Sequence, residues 1–225
     1  MTKDKSHELK DYGMYERERQ EMVDNLAASG YVKSKNVIEA MKKVERHLFL
    51  PENVRRYAYF DQPLPVGEGQ TISAPHMVAM MCELLDLKEG LKILEIGAGT
   101  GYHACVVAEI VKGKVYSIES KTRLVERARK NLERAGCTRV ELIEGDGTEG
   151  CEKEAPYDRI FVTAGAPDIP RPLIDQLKAG GMLLIPVGSR HMQNLVKVYT
   201  TPGGDIEKRT LSGCAFVPLV GKYGW

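Results

Sequence analysis

Residues 93–101 read Ile93-Leu94-Glu95-Ile96-Gly97-Ala98-Gly99-Thr100-Gly101. An apolar run ends in an acid, and three glycines follow at every second position. Ile93, Leu94 and Ile96 supply a short buried strand. Glycine has no Cβ, so the backbone after that strand can turn with φ > 0 and approach a ligand closely. The apolar stretch Tyr102 to Val111 then predicts a helix, whose first amides face the same turn. A buried strand turning sharply beneath a bound nucleoside needs this arrangement.

From that turn onward, strands and helices alternate. Lys92–Ile96, Val115–Ile118, Val140–Ile143, Arg159–Thr163 and Met182–Val187 read as buried strands. Tyr102–Val111, Thr122–Ala135 and Pro170–Leu177 read as helices. Gly136 is expected to close one helix and Gly180-Gly181 another. The pattern implies an α/β fold with a doubly wound, mainly parallel sheet. After Val187 the helices stop. Leu195–Thr200 and Glu207–Cys214, around Pro202-Gly203-Gly204-Asp205, predict an antiparallel C-terminal strand pair whose place in the sheet the sequence does not fix.

Upstream lies an N-terminal helical extension. Residues 4–29 are charge-rich, with Met22, Val23 and Leu26 on one face and Gly30 as the stop. Ser34 is placed to cap a second helix through Lys43, with Val37, Ile38, Met41 and Val44 at helical spacing. Residues 57–72, punctuated by Pro63, Pro65, Gly67 and Gly69, read as a long functional loop, with Asp61 and the turns after it as a candidate lid. Ser73-Ala74-Pro75 reads as a helix start, and the Met77, Val78, Met80, Met81, Leu84 and Leu85 stripe as core packing. The expectation is one domain over 1–225, with 1–72 as helices and active-site loop and 73–225 as the core.

Composition narrows the function. In 225 residues, 32 basic side chains nearly cancel 31 acidic ones, for a net charge of +1. That balance argues against a dedicated nucleic-acid binder, which carries a basic face. Five cysteines, Cys82, Cys105, Cys137, Cys151 and Cys214, form no C-x-x-C pair and no zinc-spaced cluster. No metal site is expected, and free thiols in a reducing compartment are the simplest reading. Met1 to Lys10 is polar, and the most apolar window, Ala104 to Val111, is interrupted by Glu109. A cytoplasmic chain with no membrane partner is expected.

Three acids define the expected ligand edge. Glu95 ends the first strand of the core. Glu119 ends the next, 22 positions after Gly97, near the ~20 expected of an acid on ribose hydroxyls. Asp146, in Glu144-Gly145-Asp146-Gly147, follows the third and can accept an adenine amino group. All three fall at strand C-termini, the edge where open α/β sheets bind ligands. A dinucleotide fingerprint wants a third glycine at position 102, which is Tyr102. The spacing Gly97, Gly99, Gly101 after Glu95 instead resembles Rossmann-like S-adenosylmethionine-dependent methyltransferases.

A second segment is more specific. Gln70-Thr71-Ile72-Ser73-Ala74-Pro75-His76-Met77 resembles the signature of protein-L-isoaspartate O-methyltransferases. Leu94 to Gly101, Glu144 to Gly147, Ala155 to Asp158, Thr163 to Pro167, Leu173 to Gly181, Ile185 to Gly188 and Phe216 to Leu219 also look like that family. The likeness runs from about Ser34 to the C-terminus; the charged segment before it departs from the pattern. The resemblance implies a repair enzyme that methylates isoaspartyl carboxylates in damaged proteins from S-adenosylmethionine, releasing S-adenosylhomocysteine. A monomer without nucleic-acid partners is expected. By carry-over, Ser73 is the catalytic position. Thr71, Ile72, Ser73, Glu95, Gly97, Ala98, Gly99, Gly101, Glu119, Ser120, Asp146 and Gly147 would line the cofactor pocket. Ser73, His76 and Val217 would meet substrate.

The chemistry is consistent. A carboxylate is already ionised at neutral pH, its reference pKa being ~4, so no general base is needed. Ser73 can orient it by one hydrogen bond, or be a plain N-cap. His76 can touch substrate or be a satisfied first-turn histidine. Phe216 to Leu219 can hold substrate backbone or be a buried last strand. Rival readings are a nucleic-acid or small-molecule methyltransferase and a non-catalytic adaptor. The first lacks its Asn/Asp-Pro-Pro-aromatic motif, since Thr163-Ala164-Gly165-Ala166 stands there; the second predicts a damaged 71–76 segment, which is intact.

Overall fold

The computed structural model describes residues 5–201 and 203–225. Helices α1 (Lys5–Ala28) and α2 (Lys35–Lys43) precede a hairpin of β1 (Leu64–Gly67) and β2 (Gln70–Ile72) and helix α3 (Pro75–Leu84). Then follow β3 (Ile93–Ile96), α4 (Tyr102–Val111), β4 (Val115–Glu119), α5 (Thr122–Arg134), β5 (Val140–Glu144) and β6 (Tyr157–Val162). Helix α6 (Arg171–Asp175), β7 (Leu177–Gly188), β8 (Gln193–Thr200) and β9 (Ile206–Cys214) complete the chain.

Seven strands form one sheet in the order β5-β4-β3-β6-β7-β8-β9. The first five run parallel, and β8 and β9 are antiparallel. The chain winds outward from β3 to β5, then returns to the other side of β3 with β6. The strand order therefore reverses between β3 and β6, and ligands bind above such a switch point.

Both faces of the central parallel strands are covered, as a parallel sheet requires. Successive side chains of β3 go to opposite faces: Ile93 joins a core with α1 to α5, while Leu94 and Ile96 join a second core with α6. Glu95 therefore points toward the α3–α4 side, fully buried. Burial of four side chains in so short a strand leaves no polar alternative to the sheet, and it fixes where the glycine turn begins.

Several expectations need correction. Residues 57–72 are not a structureless loop. Leu64 pairs with Ile72 across a two-residue turn in which Glu68 and Gly69 both have positive φ, 54° and 69°, the backbone that suits a twisted hairpin. Leu64, Val66 and Ile72 anchor it in the core. Gly180-Gly181 does not close a helix. It lies inside β7, at the irregularity where Leu177 and Met182 pair with Tyr157 and Arg159; α6 has already ended at Asp175.

The cysteines are not all free thiols either: Cys105 on α4 and Cys137 after α5 form a disulfide, with a sequence separation of 32 and Cα atoms 5.8 Å apart. Ser34 stands at the start of α2 but gives it no side-chain cap. Its hydroxyl donates to Glu83 Oε1 at 2.9 Å. The hairpin over 202–205 joins β8 to β9 as expected, although Pro202, like residues 1–4, lies outside the described residues.

Candidate active site

At the switch point a cleft opens, its space amounting to about 830 Å³ when the open solvent at its mouth is included. Its floor is the turn Gly97–Thr100. One wall is β2 and the bend that ends it, from Gln70 to Ser73. The ends of β4 and β6 contribute Glu119, Ser120 and Thr163, and the segment Val217–Val220 closes the far side.

The turn is held from two sides. Glu119 accepts the Gly99 amide on Oε2 at 2.9 Å and the Ser120 and Lys121 amides on Oε1 at 2.9 and 3.1 Å. Thr163 donates its hydroxyl to the carbonyls of Gly97 (2.6 Å) and Ile96 (3.1 Å). Gly97 has φ 93°, and a Cβ built on it would collide with the Thr163 hydroxyl. Here glycine is required both by conformation and by the close approach of the two strand ends.

Behind the turn the cleft ends in polar atoms that the protein leaves unmatched. Glu95 Oε1, Tyr102 Oη and His103 Nδ1 are buried and have no hydrogen-bond partner among the described residues. All three residues line the cleft. Ser117 donates to the other Glu95 oxygen. Burial pushes the Glu95 carboxyl up to about 8, against that bond and with the nearby Glu119 charge adding to it. Burial, helped by the Arg46 charge, pulls His103 down to about 3, so its ring is neutral. Three buried polar atoms without partners cost free energy unless a ligand satisfies them. An α-amino acid end group, with its ammonium and carboxylate, has the matching chemistry. S-adenosylmethionine carries such a group at one end and a nucleoside at the other, so the residues present fit it.

Of the residues named from sequence, Thr71, Ile72, Ser73, Glu95, Gly97, Ala98, Gly99, Glu119, Ser120, Gly147 and Val217 all face this cleft. Three do not line it. Gly101 is the N-cap of α4, with φ 86°, and faces Leu132. Asp146 spends its carboxylate locally: Thr148 donates to Oδ1 through its amide and hydroxyl, at 2.8 and 2.7 Å, and the Lys222 amide to Oδ2 at 2.8 Å. His76 is held by Asp61, which accepts the His76 amide at 2.8 Å and lies 2.9 Å from its ring Nδ1. The ring tilts against Tyr31.

Ser73 is not a helix cap. Helix α3 begins at Pro75 with Ala74 in the cap position and no side-chain cap bond. Val217 belongs to a short extended segment pairing with Gly165, whose amide donates to the Val217 carbonyl at 2.8 Å.

Tyr102, His103 and Thr163, which line the cleft, escaped the sequence-based assignment of the site. The first two follow the last glycine directly, and helical phasing from Gly101 would have placed the first turn of α4 against the floor.

The sheet order, the turn at the switch point and the amino-acid-like end of the cleft define the class: an S-adenosylmethionine-dependent methyltransferase of Rossmann-like fold. Comparison with known proteins carries this further. The family model described as Protein-L-isoaspartate(D-aspartate) O-methyltransferase (PCMT) matches residues 17–224, and the chain belongs to that family. The match begins well before Ser34, so half of α1 lies within the family pattern. A protein-L-isoaspartate O-methyltransferase of Methanopyrus kandleri is 55% identical over 94% of this chain and 95% of its own. One from Hyperthermus butylicus is 54% identical, covering 96% and 94%. Among solved structures, a putative family member from Plasmodium falciparum, in complex with S-adenosyl-L-homocysteine, superposes with a TM-score of 0.80 at 27% identity, covering 90% of this chain and 98% of that one.

Proposed function

We infer that this protein is a repair enzyme, a protein-L-isoaspartate carboxyl O-methyltransferase. The observation that carries the reading is that the Thr71–Ser73 bend and the Gly97–Thr100 turn face one another across a single cleft. S-adenosylmethionine, when bound, supplies a methyl group on a sulfonium sulfur. A carboxylate oxygen of the isoaspartyl residue would accept that methyl, the C–S electron pair remaining with sulfur. The products are a methyl ester and a neutral thioether, and no proton moves.

The protein's work is therefore alignment and exclusion of water, which together can contribute ~7–11 kcal/mol. Glu95, Tyr102 and His103 would hold the methionine end. Glu119 and Ser120 would meet the ribose, and Gly147 would back the base. Asp146 sits one residue away, tied to Thr148 and Lys222, and would serve the base through Gly147. Ser73, with no cap to make, has its hydroxyl free to orient the acceptor carboxylate. Val217 would flank the peptide, and His76 would form its outer wall. The ester then closes to a succinimide without help from the enzyme, and reopening can yield normal aspartyl. No helix among the described residues is long and apolar enough to cross a membrane. A cytoplasmic enzyme acting as a single chain, with no nucleic-acid partner, is the simplest setting.

The test is methylation from labelled cofactor of an isoaspartyl peptide beside its aspartyl twin. Only the first should be labelled. Ser73→Ala should reduce its kcat/KM about tenfold, the order of one hydrogen bond to a charged group. Equal labelling of both peptides, or a Ser73→Ala enzyme with wild-type kinetics, contradicts the reading.

A further inference from the structure

Arg46 is fully buried, yet no acid forms an ion pair with it among the described residues. Its Nε donates to the Ala58 carbonyl at 2.9 Å, and one terminal nitrogen donates to the Ser73 carbonyl at 2.8 Å. The other terminal nitrogen has no hydrogen-bond partner by distance and angle among the described residues, although the Tyr102 hydroxyl acts on the guanidinium. The guanidinium carbon lies 4.9 Å from the centre of the Tyr102 ring. One side chain thus ties together three pieces of the acceptor region: the 58–61 segment whose Asp61 holds His76, the bend that carries Ser73, and the first residue of α4.

A buried charge without a counter-ion is expensive. The titratable groups whose charges act on it are Tyr102, Tyr59 and Asp61, with neutral His103 also within its field, and Asp61 is engaged by His76. A positive charge held beside the acceptor bend would gain its counter-ion when an anionic side chain arrives there.

Resting on the function proposed above, we propose that Arg46 is a positioning residue for the methyl acceptor. Its bond to the Ser73 carbonyl sets the bend, and its unpaired charge draws the isoaspartyl carboxylate into place. These two roles separate in kinetics. The charge acts on binding of the acceptor, so it governs KM for the peptide. The fork that reaches two carbonyls at once sets the alignment, so it governs kcat. Lysine keeps the charge but has no planar fork.

The experiment compares wild type, Arg46→Lys and Arg46→Met with an isoaspartyl peptide, measuring kcat, KM and S-adenosylhomocysteine affinity by calorimetry. Methionine fills similar apolar space over Tyr102. Arg46→Met should raise peptide KM about tenfold or more and lower kcat, with product affinity held within about twofold. Arg46→Lys should restore KM to within about threefold of wild type while kcat stays low. Should Arg46→Met not accumulate as folded protein, Arg46→Lys decides alone. A low kcat with near-normal KM supports the proposal, and wild-type kcat or a raised KM overturns it. Wild-type kcat/KM in Arg46→Met, or a loss of product affinity matching the loss of activity, also overturns it. An inactive wild type would instead refute the underlying function.

Discussion

Replacing Gly97 by alanine tests the central turn most severely. Its φ of 93° costs an L-residue ~1–2 kcal/mol. The new methyl would occupy the place of the Thr163 hydroxyl. That hydroxyl must rotate away, giving up its bonds to the Ile96 and Gly97 carbonyls, a further ~1–3 kcal/mol. The sum, ~2–5 kcal/mol, corresponds to a fall in melting temperature of roughly 5–15 °C for a chain of this size. Gly99 provides the internal control. Its φ is 55°, and a Cβ there meets nothing within 4 Å, so Gly99→Ala should cost only the conformational ~1–2 kcal/mol. Its methyl projects into the cleft, however, so its main effect should be on cofactor affinity. Thermal unfolding and calorimetry with S-adenosylhomocysteine separate the two. The double variant Gly97→Ala/Thr163→Ala should recover part of the stability, because the crowded hydroxyl is gone. If Gly97→Ala and Gly99→Ala melted together, or if removing the Thr163 hydroxyl rescued nothing, the account of the turn would be wrong.

Two further outcomes follow from buried groups. Burial holds Glu95 near 8, largely protonated at neutral pH in the free protein, whereas a ligand ammonium requires the carboxylate. Product binding at pH 7 should therefore release a proton, and affinity should tighten as pH rises toward 8 and then level off. Because this folded pKa lies above the unfolded ~4.5, the stabilisation from neutral Glu95 is complete below pH 4.5 and is lost as pH rises through 8. Glu95→Gln should remove both slopes; calorimetry in buffers of different ionisation enthalpy reads the proton directly. The Cys105–Cys137 bridge closes a loop of about 32 residues, worth about 3–4 kcal/mol by chain entropy. Cys105→Ala should lose that much in denaturant unfolding. Unfolding without reductant should expose three reactive thiols, and five would deny the bridge.

What the sequence disclosed was local. The β3 strand, its glycine turn and α4 are set by consecutive residues, and α4 spans Tyr102–Val111 as read. The Thr71–Ser73 bend was legible because its residues are contiguous. Where the reading failed, the deciding partner lay far along the chain. Gly180-Gly181 has the look of a helix stop, but pairing with β6 and β8 made it an irregularity inside a strand. Ser34 looks like a cap, but Glu83, 49 residues on, takes its hydroxyl. Asp146 reads as a ligand acid, and its bond to the Lys222 amide, 76 residues away, could not be foreseen. The hairpin over 64–72 hid because Glu68-Gly69 is a weak turn signal and its strands are only four and three residues long. The disulfide could not be read from spacing, since two helices had to pack before Cys105 met Cys137. Arg46 gave no sign at all: only burial without a counter-ion marks it.

The most direct measurement is a crystal structure with S-adenosylhomocysteine bound. The thioether sulfur should face Ser73, with room between them for a methyl group and a carboxylate oxygen at near-attack distance, ~3–3.5 Å from carbon to oxygen. The ligand ammonium should sit on Glu95. A sulfur turned away from the Thr71–Ser73 bend, or a nucleoside lodged outside the cleft between β3 and β6, would contradict the account.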